Sequence, residues 1–109
     1  MSECLLEWTP FRLKPTVAQQ SLLAASEMLQ REFLSAQPGF VRRLLLSAGD
    51  GSYVDLIWWN SMEAAEAAMN KAASDPSWHE YSVLMANGES GPRLHLFQPI
   101  ADYSPAGGS

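Results

Sequence analysis

The segment from Pro38 to Tyr81 constrains the fold more than any other part of this 109-residue chain. Pro38-Gly39 ends any helix before it, and Phe40 to Ser47 then reads as a short strand rich in Leu and Val. Ala48-Gly49-Asp50-Gly51-Ser52 has the small, flexible residues of a tight reversal, so a strand from Tyr53 to Trp59 should return antiparallel to the first. The returning strand is apolar at nearly every position except Asp55, which is the pattern of a central strand covered on both faces. Asn60 or Ser61 follows as a helix cap, with Glu63 placed to bond back and Met62, Ala65, Met69 and Ala72 making a thin apolar stripe. Asp75-Pro76 restarts a helical turn, with Asp as cap and Pro in the first position, so the helix is kinked or split there. Beyond it Trp78, Tyr81, Ser82 and Met85 share a face.

The flanks complete the pattern. Leu5 to Leu13 reads as a first strand in which Pro10, lacking an N–H, implies an edge or a bulge. Thr16 and Gln19 have the spacing of a capping box, and Ala18, Leu22, Ala25, Leu29 and Phe33 recur as one face of an amphipathic helix. Asn87-Gly88 to Gly91-Pro92 reads as a loop and Arg93 to Gln98 as a fourth strand. The order is βαββαβ: an α+β, ferredoxin-like plait with a four-stranded antiparallel sheet and helices on one face. Residues 1–100 are expected to form a single domain and residues 101–109 a loose tail.

Apolar residues make up 47% of the chain and charged ones 17%, a balance that excludes disorder. A net charge of -5 opposes nonspecific nucleic-acid binding, and the aromatic-basic strand motif by which such plaits read RNA is lacking. Cys4 is the sole cysteine, so no intrachain disulfide or cysteine-cluster metal site is expected. The start of the chain has neither a basic region with a long apolar run nor a bilayer-length segment, which makes the cytoplasm the expected location and membrane association unexpected. No metal-ligand spacing, phosphate-cradling glycine loop or serine nucleophile motif occurs, so no cofactor and no metal is expected.

Helices on one face leave the other face of the sheet bare. Adjacent strand residues point opposite ways, so one of Trp58 and Trp59 must face outward, beside Leu56 or Ile57. Such an apolar patch is ordinarily covered by association, and a homodimer formed sheet to sheet is expected. Obligate interfaces of this kind bury roughly 2,000 Å² or more.

With this element order, Pro38-Gly39-Phe40 at the entry to the second strand, the Trp59-Asn60-Ser61-Met62-Glu63-Ala64-Ala65 passage and Asp75-Pro76-Ser77-Trp78 before a Tyr, the chain resembles the dimeric α+β barrel superfamily. Within it, the chain is similar to antibiotic biosynthesis monooxygenase (ABM)-like domains from about Leu5 to Pro99. The resemblance implies paired sheets closing a barrel across a dimer, with a pocket between helices and sheet in each subunit. It implies one of several activities: cofactor-free oxygenation of polycyclic phenols or quinols, haem degradation, decarboxylation, isomerisation or none. Haem-degrading relatives carry a strand-one Asn, a helix Trp and a haem-ligating His. Here the first position falls near Trp8, the second among Ala68 to Lys71, and only His79 lies in the right segment.

Several residues carry both a functional and a structural reading. Asp55, in an apolar strand, must be paired, hydrogen-bonded or shifted in pKa, and it reads as a general base or as a partner of Arg42 or Arg43 at the dimer interface. His79, beside Glu80, reads as an acid or base or as a solvated surface histidine. Tyr81 is a further polar candidate, and Trp8, Phe33, Trp59 and Trp78 are candidates to line an aromatic substrate cavity or simply to be core. His95, Arg93 and Phe97 share a face of the fourth strand, facing an acidic ligand, a dimer mate or water. The chemistry expected from these residues and the resemblance is a cofactor-independent monooxygenase reaction on an aromatic or quinone-like molecule, with Asp55, His79 or Tyr81 as polar contacts and Trp8 and Trp59 positioning the ring. The alternative is a noncatalytic, small-molecule-binding or stress-associated dimer.

Overall fold

A computed structural model of the chain describes residues 4–86 and 94–106. The elements run β1 (Leu5–Arg12), α1 (Gln19–Glu32), a 3-10 turn (Leu34–Ala36), β2 (Phe40–Ser47), β3 (Ser52–Trp59), α2 (Met62–Ala72), α3 (Pro76–Ser82) and β4 (His95–Phe97). The expected loop from Asn87 to Pro92 and the expected strand start at Arg93 lie outside the described residues. The strands form one antiparallel sheet in the order β2-β3-β1-β4, the α+β ferredoxin-like plait expected from the element order.

Local chemistry sets most boundaries. The β2–β3 turn uses positive φ at Gly49 (88°) and Gly51 (91°), where a Cβ would be strained, and the Asp50 carboxylate accepts from the Ser52 backbone N–H at 3.1 Å. Ser61 caps α2 by accepting from Ala64 N–H at 3.1 Å, and Asp75 caps α3 by accepting from Trp78 N–H at 2.9 Å with Pro76 in the first turn. Of the kink or split expected there, the structure shows the split, into two separate helices. The expected Thr16–Gln19 capping box does not form. Instead α1 starts at Gln19 behind Ala18, which has no side-chain acceptor to cap it, and the Gln19 amide oxygen accepts from the Tyr53 hydroxyl at 3.0 Å. Ala18 and Met62 are exposed rather than part of their helices' buried stripes, which are Leu22, Ser26 and Leu29 on α1 and Ala65 and Ala68 on α2.

Pro10 sits in β1 opposite Val54 of β3, past the last β4 pair at Trp8 and His95. Among the described residues no strand pairs with β1 at Pro10 on that side, a position that tolerates the missing N–H.

The register separates two faces. Leu5, Glu7, Thr9 and Phe11 of β1 stand beside Trp59, Ile57, Asp55 and Tyr53 of β3, all on the side that packs against the helices. Trp59 is 1% exposed and Tyr81 0%, and the rings of Phe11 and Tyr53 stack with centroids 5.6 Å apart. The opposite face carries Leu6, Trp8, Leu44, Leu46, Val54, Leu56 and Trp58. Trp59 is thus the inward indole and Trp58 the outward one, with the Arg42 guanidinium 5.0 Å from the Trp58 ring centroid.

Candidate functional site

Between the helices and the sheet lies a cavity of about 280 Å³. Alternation brings Glu7 and Thr9 from β1 and Asp55, Ile57 and Trp59 from β3 to its floor. Leu29 from α1, Phe33 just past its end, and Ala68, Met69 and Ala72 from α2 supply apolar walls, and Trp78 lines one side from α3. The alanines of α2 let that helix approach the sheet without filling the space.

Two carboxylates meet this apolar volume. Glu7 accepts from the Trp59 indole N–H at 2.9 Å and from the Thr9 hydroxyl at 3.4 Å. Burial raises the Glu7 pKa above its ordinary value, and the nearby charge of Asp55 raises it further. The Trp59 and Thr9 hydrogen bonds and the more distant Arg43 pull in the other direction and do not cancel the rise. The result is a carboxylate that holds a proton more readily than one in water.

Asp55 is differently placed. Arg43 grips it with two N–H groups, Nε to Oδ1 at 2.7 Å and Nη2 to Oδ2 at 3.3 Å, while Nη1 donates to the Ser26 carbonyl oxygen at 3.1 Å. The Tyr81 hydroxyl donates to Asp55 Oδ2 at 2.5 Å. Burial opposes the charge on Arg43, but Asp55 overcomes that cost and raises the guanidinium pKa. Burial also raises the Tyr81 hydroxyl pKa, as does the adjacent Asp55 carboxylate, so Tyr81 stays a neutral donor. Asp55 and Tyr81 therefore belong to one buried array, and Arg43 joins Asp55 beneath the helices of its own chain rather than at the expected interface.

The aromatic candidates divide. Phe33, Trp59 and Trp78 line the cavity. Trp8 does not: it lies on the opposite face of the sheet, 39% exposed, because β1 presents its odd-numbered residues to the helices. His79 is exposed on α3, whose buried residues are Ser77 and Tyr81, so it does not reach the cavity. His95 and Phe97 stand on the open face with ring centroids 6.2 Å apart.

Sequence reasoning missed Glu7 and Thr9. The signal was present, since Leu5, Glu7, Thr9 and Phe11 have one parity, but Trp8 on the other parity looked like the core residue. Among the described residues no group of three His, Cys, Asp or Glu side chains could hold a metal ion, and no helix is long and apolar enough to cross a membrane.

No protein-family model matches the chain, and no curated protein sequence matches it. Solved structures do. A variant of SnoaB, a cofactor-independent oxygenase from Streptomyces nogalater, superposes with a TM-score of 0.73 at 22% identity, over 91% of this chain and 95% of that one. The ActVA-Orf6 monooxygenase of Streptomyces coelicolor, solved with the ligand nanaomycin D, gives 0.68 at 18% identity over 95% and 94%. A conserved protein from Methanosarcina mazei gives 0.67 at 10% identity over 88% and 92%. At these identities the likeness is one of architecture. The chain has the fold of the antibiotic biosynthesis monooxygenase domain proteins.

Proposed function

We propose that the protein is a monooxygenase-like enzyme that oxidises a small aromatic or quinone-like molecule in the cavity between helices and sheet, without a bound metal or organic cofactor. The observation that carries this reading is Glu7: a carboxylate with raised proton affinity, held by Trp59 and Thr9 against an apolar volume walled by aromatic rings. A base of this kind takes the proton of a phenol-type hydroxyl. The resulting phenolate gives one electron to dioxygen, the two radicals combine to form a C–O bond, Glu7 returns its proton to the peroxide, and the hydroperoxide loses water as its O–O bond and the ring C–H bond break. One oxygen atom stays in the quinone product and the other leaves as water, so the substrate supplies all the electrons. Phe33, Trp59 and Trp78 position the ring, and water exclusion by the alanine-rich α2 wall favours the electron transfer. Asp55, held by Arg43 and Tyr81, is a polar contact at the cavity and keeps the Glu7 proton affinity high. Sharing the fold of SnoaB, described as a cofactor-independent oxygenase, supports this chemistry over the other activities of the fold.

The open sheet face supports a homodimer formed sheet to sheet. Trp8, Leu44, Leu46, Val54, Leu56 and Trp58 make it apolar, and nothing in its own chain covers it among the described residues.

Oxygen uptake with a panel of phenols, quinols and anthrones tests the reaction. Glu7→Gln should lower turnover by about 100-fold or more, the scale of a positioned general base. Binding of panel members with no oxygen uptake would overturn the reading in favour of a noncatalytic ligand-binding protein. Unchanged turnover in Glu7→Gln would remove Glu7 from the mechanism.

A further inference from the structure

One wall of the cavity carries a reactive atom that the proposed reaction does not use. Met69 holds the sole sulfur among the described lining residues. Its phase on α2, four residues after the buried Ala65 and three before Ala72, puts it on the helix face turned to the sheet. It is half-buried and packed against the core. Its neighbours along the helix surface include Ala65, Ala72 and Ala73, so on that face α2 sets no bulky side chain between the thioether and the cavity. The other lining side chains are hydrocarbons, aromatic rings, a hydroxyl and carboxylates, and none is as strong a nucleophile towards peroxide oxygen as a soft, polarisable thioether. Met28 and Met62, by contrast, stand on the outside of their helices, 40% and 41% exposed, and Met85 is sealed in the core.

We infer that Met69 is an oxygen-acceptor site for apolar organic hydroperoxides: the cavity brings such a molecule to the Met69 sulfur, which becomes the sulfoxide ahead of the more exposed Met28 and Met62. The step balances between the two reactants. A sulfur lone pair attacks the terminal peroxide oxygen, an S–O bond forms as the O–O bond breaks, and the proton of the terminal oxygen passes to the departing alkoxide, which leaves as the alcohol. Sulfur loses two electrons and the peroxide gains them, so no further oxidant takes part. The hydroperoxide either enters from outside or arises in place as the ring hydroperoxide of the proposed reaction, and only the second source rests on that reading. Apolar walls such as Leu29 and Phe33 favour an organic hydroperoxide, whereas hydrogen peroxide has no apolar surface to bury. The product alters the site. A sulfoxide is polar, and the Trp59 indole and the Thr9 hydroxyl are already committed to Glu7, so its oxygen finds little to accept from. Oxidation therefore loosens the packing of α2 on the sheet and closes the cavity to further apolar molecules, a change that reduction of the sulfoxide reverses.

The test treats the intact protein, under nitrogen and with no phenol present, with cumene hydroperoxide or with hydrogen peroxide at equal concentration. Peptide mass spectrometry at early conversion reads the sulfoxide at each methionine. Cumene hydroperoxide should oxidise Met69 about fivefold or more faster than Met28 and Met62, the reverse of their order of exposure. Hydrogen peroxide should oxidise Met28 and Met62 at least as fast as Met69. Longer treatment with cumene hydroperoxide should lower the Tm of the wild-type protein but not that of Met69→Leu, whose side chain keeps the volume without the sulfur. Rates that follow exposure with both oxidants overturn the inference. The same preference for Met69 with hydrogen peroxide does so too, since the sulfur would then be reactive without help from the cavity, and so does an equal fall of Tm in Met69→Leu. Aerobic incubation with the phenol panel separates the two sources, because a hydroperoxide made in place oxidises Met69 in step with oxygen uptake. Selective oxidation by cumene hydroperoxide without oxygen uptake from any phenol supports the inference and sinks only the oxygenase reading. Oxygen uptake by a protein in which cumene hydroperoxide shows no preference for Met69 does the reverse.

Discussion

Replacing Arg43 with Met asks whether the buried array is held by charge pairing or merely decorated by it. The Arg43 and Asp55 side chains are each 6% exposed, and the guanidinium supplies Asp55 with two of its three side-chain hydrogen bonds. Met keeps much of the aliphatic stem but leaves the Asp55 carboxylate with only the Tyr81 hydroxyl. Removing one partner of a buried pair costs about 3–5 kcal/mol, because the remaining charge is stranded out of water. An exposed pair would cost about 0–1 kcal/mol. For a domain near this size, 3 kcal/mol corresponds to a fall in Tm of roughly 10–20 °C. Asp55→Leu should cost a similar amount by stranding the guanidinium. The double variant removes both charges and should be more stable than the sum of the singles by about 2 kcal/mol or more. Urea unfolding of all four proteins at one protein concentration measures this cycle, since any self-association adds a concentration term. A loss below about 1 kcal/mol in Arg43→Met, or a double variant that equals the sum, would refute the reasoning.

The same geometry makes three further predictions. Glu7 has a raised folded-state pKa, so between its ordinary value of 4.5 and that higher value the native state holds more protons than the unfolded state, and stability falls as pH rises through this window. Glu7→Gln should accordingly gain Tm over the parent as pH rises from about 4.5 towards neutrality, and a gap that stays constant with pH would remove the cause. Gly39 has φ of 83°, and a Cβ there would meet Asn60 Oδ1 at 2.6 Å and overlap the Ala64 side chain, so Gly39→Ala should cost about 2 kcal/mol or more in the same unfolding assay. Leu56→Asp on the open face should convert a dimer into a monomer in analytical ultracentrifugation while retaining the far-ultraviolet circular dichroism spectrum, and a wild-type protein that sediments as a monomer at micromolar concentration would defeat the sheet-to-sheet assembly.

Much of the architecture was legible because its signals are local. Gly49 and Gly51 permit a turn that other residues resist, Ser61 and Asp75 satisfy orphan N–H groups at helix starts, and Gly39, at positive φ, turns the chain into β2, although α1 already ends at Glu32. The site was only half legible. Phe33, Trp59 and Trp78 were recognisable as cavity candidates, and Asp55 as a carboxylate that needed partners, yet Trp8 was expected in the cavity and lies outside it, and of the two readings of His79 the structure shows the exposed, surface one. The face read for Trp78, Tyr81, Ser82 and Met85 leaves His79 outside, and the structure buries Tyr81 and Met85 of that face together with Ser77.

The sequence by itself determined the order of strands and helices and the opposition of Trp58 to Trp59, since alternation is a property of an extended backbone. It could not determine the absolute phase of β1. Leu5 and Phe11 on one parity and Leu6 and Trp8 on the other are both apolar enough to be covered, and hydrophobicity alone favours burying Trp8 over Glu7. Pairing with β3 decides the matter, because Glu7 stands opposite Ile57 and Thr9 opposite Asp55 on the face that the helices cover. Tertiary structure likewise chose Arg43 over Arg42 for Asp55, by placing one guanidinium beneath α1 and the other over Trp58. Both outcomes have one physical cause: the period of a strand is written in its own residues, whereas which side becomes the interior depends on what packs against it.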